Sequence, residues 1–183
     1  MASRFDARRL VFIDESGFHL SMTRLRARAP RGERAYGKVP RNRGKNQTLI
    51  ASITLEGGMG EAISIEGATD AELFEAYVEE FLAPTLKAGQ VVVLDKLGAH
   101  RTERVRELIE GRGADLLFLP SYSPDLNPIE EAFSKIKNIV RKAAARTREA
   151  LDEAVGEALG AVTLEDAAGW FSHCGYEAGD QYS

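Results

Sequence analysis

The stretch VVVLD at residues 91–95 places an aspartate directly after four apolar residues, three of them β-branched. An unbroken apolar run of this length is typical of a central strand that is covered on both faces. A carboxylate at the end of a buried strand needs a partner, because burial of an unpaired charge is costly. The stretch therefore predicts an α/β fold with Asp95 at the end of a central strand, a common place for ligands in such folds.

A second apolar run, LVFID at residues 10–14, also ends in an aspartate, Asp14. It predicts a second buried strand. Glu15 follows directly, and neighbouring side chains on a strand point to opposite faces. Only one of these two carboxylates can therefore face Asp95 directly, and the pattern alone does not select between them.

A third acidic candidate lies in SPDLNPIE, residues 123–130. Pro128 suits the first turn of a helix, and Asn127 suits the N-cap. Glu130 then falls in the first helical turn, where it can bond back to the N–H of the cap or act as a metal ligand. Glu131 is the alternative ligand.

Three carboxylates delivered from two strand ends and one helix start are typical of a site for divalent metal ions. Mg²⁺ prefers oxygen ligands, and it usually keeps several waters. Two such ions can activate a nucleophile and stabilise the leaving oxygen of a phosphodiester. Without metal the carboxylates repel one another, so at least one of them is expected to have a raised pKa.

The remaining pattern predicts strands first, then strands alternating with helices, and helices alone at the end. Gly17 permits a tight turn, so FHLSM at residues 18–22 is predicted to form the return strand of a hairpin. Thr147 and Thr163 are predicted to cap two late helices. This order predicts one mixed sheet flanked by helices, with an α-helical C-terminal tail. Further strands are predicted at residues 47–55, 60–67 and 115–119, and further helices at residues 69–82, 101–111 and from 128 onward.

Two of the predicted helices carry apolar stripes that are expected to face the core. Thr69 and Glu72 form a capping-box pattern at the start of the first helix. Near the C-terminus, aromatic residues are expected to anchor the last helix. The first stripe is Leu73, Phe74, Tyr77, Val78, Phe81 and Leu82, the second is Ile129, Ala132, Phe133, Ile136 and Val140, and the anchors are Trp170, Phe171 and Tyr176.

Composition favours a single domain spanning residues 1–183, because the chain is 44% hydrophobic and has an ordinary domain length. No apolar run approaches the ~18 residues of a membrane span. The N-terminus also lacks the apolar segment of a signal peptide. The single cysteine, Cys174, rules out an internal disulfide and fits a reducing compartment. We therefore expect a cytoplasmic location and no membrane partner.

The net charge of −4 hides a local excess of positive charge. Residues 24–45 contain one acid, Glu33, and nine basic residues, which leaves 15 basic and 27 acidic residues for the rest of the chain. Such a segment suits a surface that follows nucleic-acid phosphates, although a solvated loop without a ligand has the same composition. We call these nine residues the basic strip: Arg24, Arg26, Arg28, Arg31, Arg34, Lys38, Arg41, Arg43 and Lys45.

Three blocks of the chain resemble a known family of DNA-processing enzymes. They are similar to the motif blocks of DDE transposases of the mariner-type superfamily, in its bacterial insertion-sequence branch (the IS-six-thirty family). The resemblance implies a ribonuclease-H-like catalytic domain that cleaves DNA and transfers strands at transposon ends. The blocks are FIDESGFHL at residues 12–20, VVVLDKLGAH at 91–100 and LPSYSPDLNPIEEAFSKIK at 119–137.

The resemblance also implies the roles of the acidic residues and the partners of the chain. It makes Asp14, Asp95 and Glu130 the catalytic residues and the ligands of Mg²⁺ or Mn²⁺, with two ions in the site. Transposon-end DNA, target DNA and further copies of the chain in a homo-oligomer are the implied partners. The implied location is the bacterial cytoplasm, at the nucleoid.

The chain departs from the family pattern in two ways. Lys96 stands where the family usually has asparagine, and the helix-turn-helix modules with which family members begin are expected to be missing, so a separately encoded helix-turn-helix protein is a candidate partner. Lys96 has three open roles: contact with a DNA phosphate, weakening of metal binding, or drift in a decayed site. Accessory candidates are Glu15, His19 and His100, and the family often has a histidine at the last of these positions.

Two rival functions stay open. A stand-alone ribonuclease-H-like nuclease would use the same carboxylates and would prefer an RNA–DNA hybrid to duplex DNA. A catalytically inactive, DNA-binding remnant of a transposase would keep the fold without the chemistry, which Lys96 and the expected loss of the modules both favour.

Overall fold

Strand β1 (Leu10–Phe18) lies in the middle of the sheet in the computed structural model, which describes residues 6–121 and 123–178. Its side chains enter two separate hydrophobic clusters. Leu10 and Phe12 enter one cluster, and Val11 and Ile13 enter the other. The strand is therefore buried on both faces, as its apolar sequence predicts.

The other four strands flank β1 in the order β3-β2-β1-β4-β5. On one side, β2 (Gln47–Thr54) pairs antiparallel with both β1 and β3 (Gly58–Glu66). On the other side, β4 (Val91–Leu94) runs parallel to β1, and β5 (Asp115–Phe118) runs parallel to β4. The predicted mixed sheet is thus confirmed.

The hairpin predicted at Gly17 is wrong. β1 continues through Gly17 to Phe18 and pairs with β2 as far as Gln47. The strand persists because Ser16 and Phe18 remain buried on alternate positions, and because β2 offers backbone partners along this whole length. Residues 19–46 contain neither strand nor helix.

Helices cover both faces of the sheet. Helices α1 (Ala71–Tyr77) and α2 (Glu103–Glu110) pack on the cluster that contains Ile13. The cluster that contains Phe12 is completed by the later helices, and the predicted helical tail is confirmed. These are α3 (Pro128–Ala143), α4 (Arg148–Gly160) and α5 (Leu164–His173).

The first helix differs from its prediction at both ends. Its N-cap is Asp70, whose carboxylate accepts a hydrogen bond from the N–H of Leu73 at 2.9 Å, so the capping box from Thr69 is not formed. After Tyr77 the helix continues as a π-helical turn at Val78–Leu82 and a 3₁₀ turn at Ala83–Thr85. The wider turn shifts the phase of the apolar stripe. As a result Phe81 is 39% exposed and does not join the core.

The second stripe and the late helix caps are confirmed. All five predicted stripe residues of α3 are buried. Thr147 and Thr163 cap α4 and α5 through their side chains. Phe171 and Tyr176 pack on Phe12 with ring centroids 5.4 and 5.1 Å away, so they anchor α5 as predicted. No helix in the described part of the chain is long and apolar enough to cross a membrane.

Replacing Phe171 with alanine tests the anchor of α5. Phe171 is fully buried, so Phe171→Ala should lower the free energy of unfolding by about 3–5 kcal/mol. Phe81→Ala is the matched control, because the same atoms are removed from a side chain outside the core; its expected cost is about 1 kcal/mol or less. Urea unfolding followed by circular dichroism measures both. Equal costs would contradict this placement of the two rings.

Candidate active site

The register of two parallel strands brings Asp14 and Asp95 together. Leu10 lies beside Val91 and Phe12 beside Val93, and the same register continued by two residues places Asp14 beside Asp95. Neighbouring strands are about 4.8 Å apart. The two predicted carboxylates therefore share one edge of the sheet.

The loop after β5 returns the chain to the same edge and leads into α3. Asp14, Asp95 and Glu130 all line one cleft of about 410 Å³, which also includes Lys96 and Asn127. The structure thus brings together the three acidic residues that the family resemblance implies, although their catalytic role stays a prediction.

Asp14 is the buried member of the group, with 8% of its surface exposed. One carboxylate oxygen accepts a hydrogen bond from the N–H of Glu15, and the other accepts one from Nδ2 of Asn127, both at 2.8 Å. Burial raises the pKa of Asp14 to about 7, and the negative charges of Asp95 and Glu130 add to the shift. A raised carboxyl pKa was expected from crowding, but burial is its larger cause.

Asn127 is a site residue that the sequence interpretation missed. It occupies the N-cap position of α3, as predicted, but its side chain makes no capping hydrogen bond. The amide points to Asp14 instead, and its Oδ1 is buried with no hydrogen-bond partner among the described residues. The Asn-Pro pattern is fully explained by a helix start, so nothing in the sequence pattern pointed to this second use.

His100 connects Asp95 to the other face of the sheet. Its Nδ1 lies 2.6 Å from Oδ1 of Asp95 and its Nε2 lies 2.9 Å from Oε1 of Glu15. The ring of Phe74 packs on the imidazole, with the two ring centroids 4.1 Å apart. Asp14 and Glu15 thus face opposite sides, as predicted. The accessory candidates Glu15 and His100 both belong to this network.

The network sets the charge of its members. Burial alone would lower the pKa of His100, but hydrogen bonds to Asp95 and Glu15 outweigh it and raise the pKa to about 9. For Asp95, burial acts to raise the pKa, yet the hydrogen bonds from His100 and the N–H of Leu97 hold it below its usual value. The partner that the buried strand end requires is therefore an imidazolium five residues further along the chain.

Glu130 is exposed, and its carboxylate has no hydrogen bond within the described ranges 6–121 and 123–178. The capping box that would occupy it is absent, because the N–H of Asn127 donates to the carbonyl of Pro124 instead. The alternative ligand Glu131 does not line the cleft and lies 3.7 Å from His173. Glu130 is therefore the acid on α3 that is available to the cleft.

The donor atoms of the cleft suit a hard divalent cation, because three carboxylates and the free Oδ1 of Asn127 all present oxygen. The negative charges of Asp95 and Glu130, which contribute to the raised pKa of Asp14, would stabilise a positive charge at this position. However, in the part of the chain that the structure describes, no three His, Cys, Asp or Glu side chains are grouped closely enough to hold one ion. The oxygen donors and their common position in the cleft suit a metal ion, but the side chains do not form a closed cluster.

The basic strip lies outside this cleft. All nine residues are exposed on the irregular segment after β1, as their composition predicts. Lys45 forms an ion pair with Glu66. His19 lies near the start of the segment, with Nδ1 2.8 Å from Oγ of Ser21, and does not line the cleft. Its accessory role is thus unsupported by position.

A family model for DDE superfamily endonucleases matches residues 9–152, which include the three acidic residues of the cleft. This chain is a DDE superfamily endonuclease domain. The transposase of the transposable element Tcb2 of Caenorhabditis briggsae is 29% identical to this chain over 140 residues. The match covers 72% of this chain and 51% of that protein.

Solved structures of Mos1 transposase share the fold. The paired-end complex with the left transposon end superposes with a TM-score of 0.76 at 18% identity, over 92% of this chain and 52% of that chain. The paired-end complex with Mn has a TM-score of 0.70 at 19% identity, over 91% and 52%. The predicted ribonuclease-H-like fold is thereby confirmed. The DDE domain described here spans about half the length of these relatives.

The protonation of His100 can be measured directly by NMR. Because Asp95 and Glu15 raise its pKa to about 9, its imidazole should stay protonated at pH 8 in metal-free buffer. His19 is the internal control, because burial and the nearby Arg43 and Arg141 lower its pKa below 6.5. Two-dimensional ¹⁵N spectra of the ring nitrogens against pH give both values. Titration of His100 at or below pH 6.5 would contradict its hydrogen bonds to Asp95 and Glu15.

Asp14→Asn tests the raised carboxyl pKa through stability. The folded protein keeps the Asp14 proton up to about pH 7, whereas the unfolded chain loses it near pH 3.8. Wild-type stability is therefore lost as pH rises across this window, by as much as about 4 kcal/mol. The variant escapes this loss, so its gain over wild type should be small at pH 4 and reach its maximum above pH 7.

The measurement is thermal unfolding in chelator-containing buffer from pH 4 to 8. The exposed Asp115 provides the control, because Asp115→Asn makes the same chemical change outside the cleft and should alter stability only slightly. A gain for Asp14→Asn that does not change with pH would contradict the assignment.

Proposed function

We propose that this chain is the catalytic domain of a bacterial insertion-sequence transposase, which cleaves DNA and transfers strands at transposon ends. The observation that carries the proposal is the convergence of Asp14, Asp95 and Glu130 on one cleft in a DDE-family domain. The similarity to the Tcb2 and Mos1 transposases supports the reaction class. The bacterial branch rests on the sequence blocks alone.

Asp14, Asp95 and Glu130 are the residues proposed to hold Mg²⁺ or Mn²⁺, in two positions. When bound, such ions supply an activated nucleophile and stabilise the leaving oxygen of a phosphodiester. Asn127 orients Asp14, and His100 orients Asp95. Because the pKa of Asp14 is about 7, a proton competes with the metal at this carboxylate, and affinity should rise with pH up to neutrality.

Lys96 is proposed to contact a phosphate of the bound DNA. It is exposed at the rim of the cleft, and it forms no ion pair with a carboxylate among the described residues. A cation in this place can neutralise a phosphate, and it can equally weaken a metal held by the adjacent Asp95. The substitution Lys96→Asn separates these effects, because a gain in metal affinity would identify Lys96 as inhibitory.

The proposed partners follow from the proposed reaction. They are transposon-end and target DNA, a homo-oligomeric assembly, and a helix-turn-helix segment that recognises the ends, either in the same polypeptide or separately encoded. The proposed place of action is the bacterial cytoplasm, at the nucleoid. The solved Mos1 complex with transposon-end DNA supports the first of these.

The proposal predicts metal binding that depends on the cleft carboxylates. Calorimetric titration with Mn²⁺ should show binding to wild type and at least tenfold weaker binding to Asp95→Asn and Glu130→Gln. Glu131→Gln is the control, because its carboxylate lies outside the cleft. Bound metal at a hundred times Kd should also add about 2.7 kcal/mol to the free energy of unfolding, and it should therefore raise the melting temperature.

Plasmid nicking in the presence of Mn²⁺ distinguishes the rival functions. Nicking of duplex DNA that is lost with Asp95→Asn supports the transposase domain. A preference for RNA–DNA hybrid would indicate a stand-alone nuclease. DNA binding without metal binding or nicking would indicate an inactive remnant.

A further inference from the structure

A second concave surface lies between the irregular segment after β1 and the C-terminal end of α3. It has a volume of about 580 Å³, and an adjoining hollow of about 820 Å³ shares several of its residues. Two walls of basic side chains border this concave surface, and we call it the basic groove. One wall carries Arg24, Arg26 and Lys38, and the other carries Arg141, Lys142 and Arg146.

The walls are held in place by Arg146. Its guanidinium donates hydrogen bonds to the carbonyl oxygens of Leu20 at 3.1 Å and Met22 at 3.4 Å. Met22 is buried, so this contact fixes the start of the irregular segment against the turn that follows α3. The segment that borders the groove is therefore anchored to the core at Met22, two residues before Arg24.

The cations of the groove lack the acidic partners found elsewhere. Within residues 6–121 and 123–178, none of the six pairs with a carboxylate, whereas several surface cations outside the groove do so. Pairs elsewhere include Arg104 with Glu79, Arg106 with Glu110 and Lys135 with Asp166. Burial lowers the pKa of His19, and the charges of Arg43 and Arg141 lower it further, as a positive potential would.

Helix-end electrostatics account for only one wall. Cations in the last turn of a helix are stabilised by the helix dipole, which explains Arg141 and Lys142 without any ligand. Arg24, Arg26 and Lys38 lie outside every described helix. Their position opposite the wall that carries Arg141 and Lys142 brings like charges together. A polyanion in the groove would offset that repulsion.

The groove is connected to the cleft by one side of α3. Glu130, Ser134, Lys137 and Arg141 are spaced by four, three and four residues, which places them in one row along the helix. Arg141 follows Glu130 by eleven residues, or about 16 Å at about 1.5 Å per residue. That length corresponds to about five base pairs of duplex at about 3.4 Å each.

We propose that the basic groove binds the sugar–phosphate backbone of the duplex that the cleft cleaves, about five base pairs from the scissile phosphate. The inference rests on the proposed function and adds Arg141, Lys142 and Arg146 to its DNA-binding surface. The contacts are to phosphates, so the groove positions DNA without reading its sequence.

Salt-dependent DNA binding tests the groove. A fluorescent duplex of random sequence is titrated with the 183-residue protein in chelator-containing buffer at several salt concentrations. The double variant Arg141→Gln/Lys142→Gln should weaken binding roughly tenfold or more at 0.1 M salt and should reduce the slope of log K against log salt by about 1.8, because each phosphate contact contributes about 0.9. Arg24→Gln/Arg26→Gln, on the opposite wall, should have a similar effect.

The matched control is Lys87→Gln/Arg112→Gln, which removes the same charge from exposed positions just before β4 and β5, at the other end of these strands from the cleft. It should leave the slope unchanged. If wild type binds and the groove variants behave like the control, the groove is overturned while the proposed function stands. If Arg141→Gln/Lys142→Gln lowers the melting temperature but leaves the affinity for DNA unchanged, the two residues only stabilise the helix, and the groove is likewise overturned. If wild type does not bind DNA, the proposed function fails and the groove with it.

Discussion

The parallel register between β1 and β4 is the constraint on which the site depends. It pairs Phe12 with Val93, and continued by two residues it brings the carboxylates of Asp14 and Asp95 side by side at the edge of an apolar sheet. Both strands are held by burial on both faces, so neither can shift without moving its whole set of core side chains. The repulsion between these two carboxylates is therefore a consequence of the fold, and nearby groups must offset it.

The two aspartates are stabilised in different ways. Asp14 receives neutral donors, an amide and a backbone N–H, and in the absence of metal it tends to keep its proton. Asp95 receives the imidazolium of His100, which Glu15 also contacts from the far face, so Asp95 stays ionised. One proton on Asp14 and one buried cation, the imidazolium of His100, thus offset the charges of the two aspartates.

Patterns that repeat along the chain could be predicted, and contacts between single side chains could not. The apolar runs gave β1 and β4, and the stripe from Ile129 to Val140 gave α3, because burial imposes a period on many residues at once. The extension of β1 past Gly17 was not predicted, because the sequence around a glycine does not distinguish a strand from a turn until the partner strand is known. The turn of Asn127 toward Asp14 escaped for a similar reason, because the alternative partner is 113 residues away.

The distance between the cleft and the basic groove follows from the same electrostatics. Three carboxylates in the cleft repel the phosphate that is proposed to enter it, so DNA must be held by cations elsewhere. Charges are largely screened from each other beyond a Debye length of about 8 Å at physiological salt. At about 16 Å along α3, Arg141 is too far to disturb Glu130, yet a stiff duplex spans both. One rigid helix can therefore carry an acidic and a basic site for the same polyanion, in a protein whose net charge is −4.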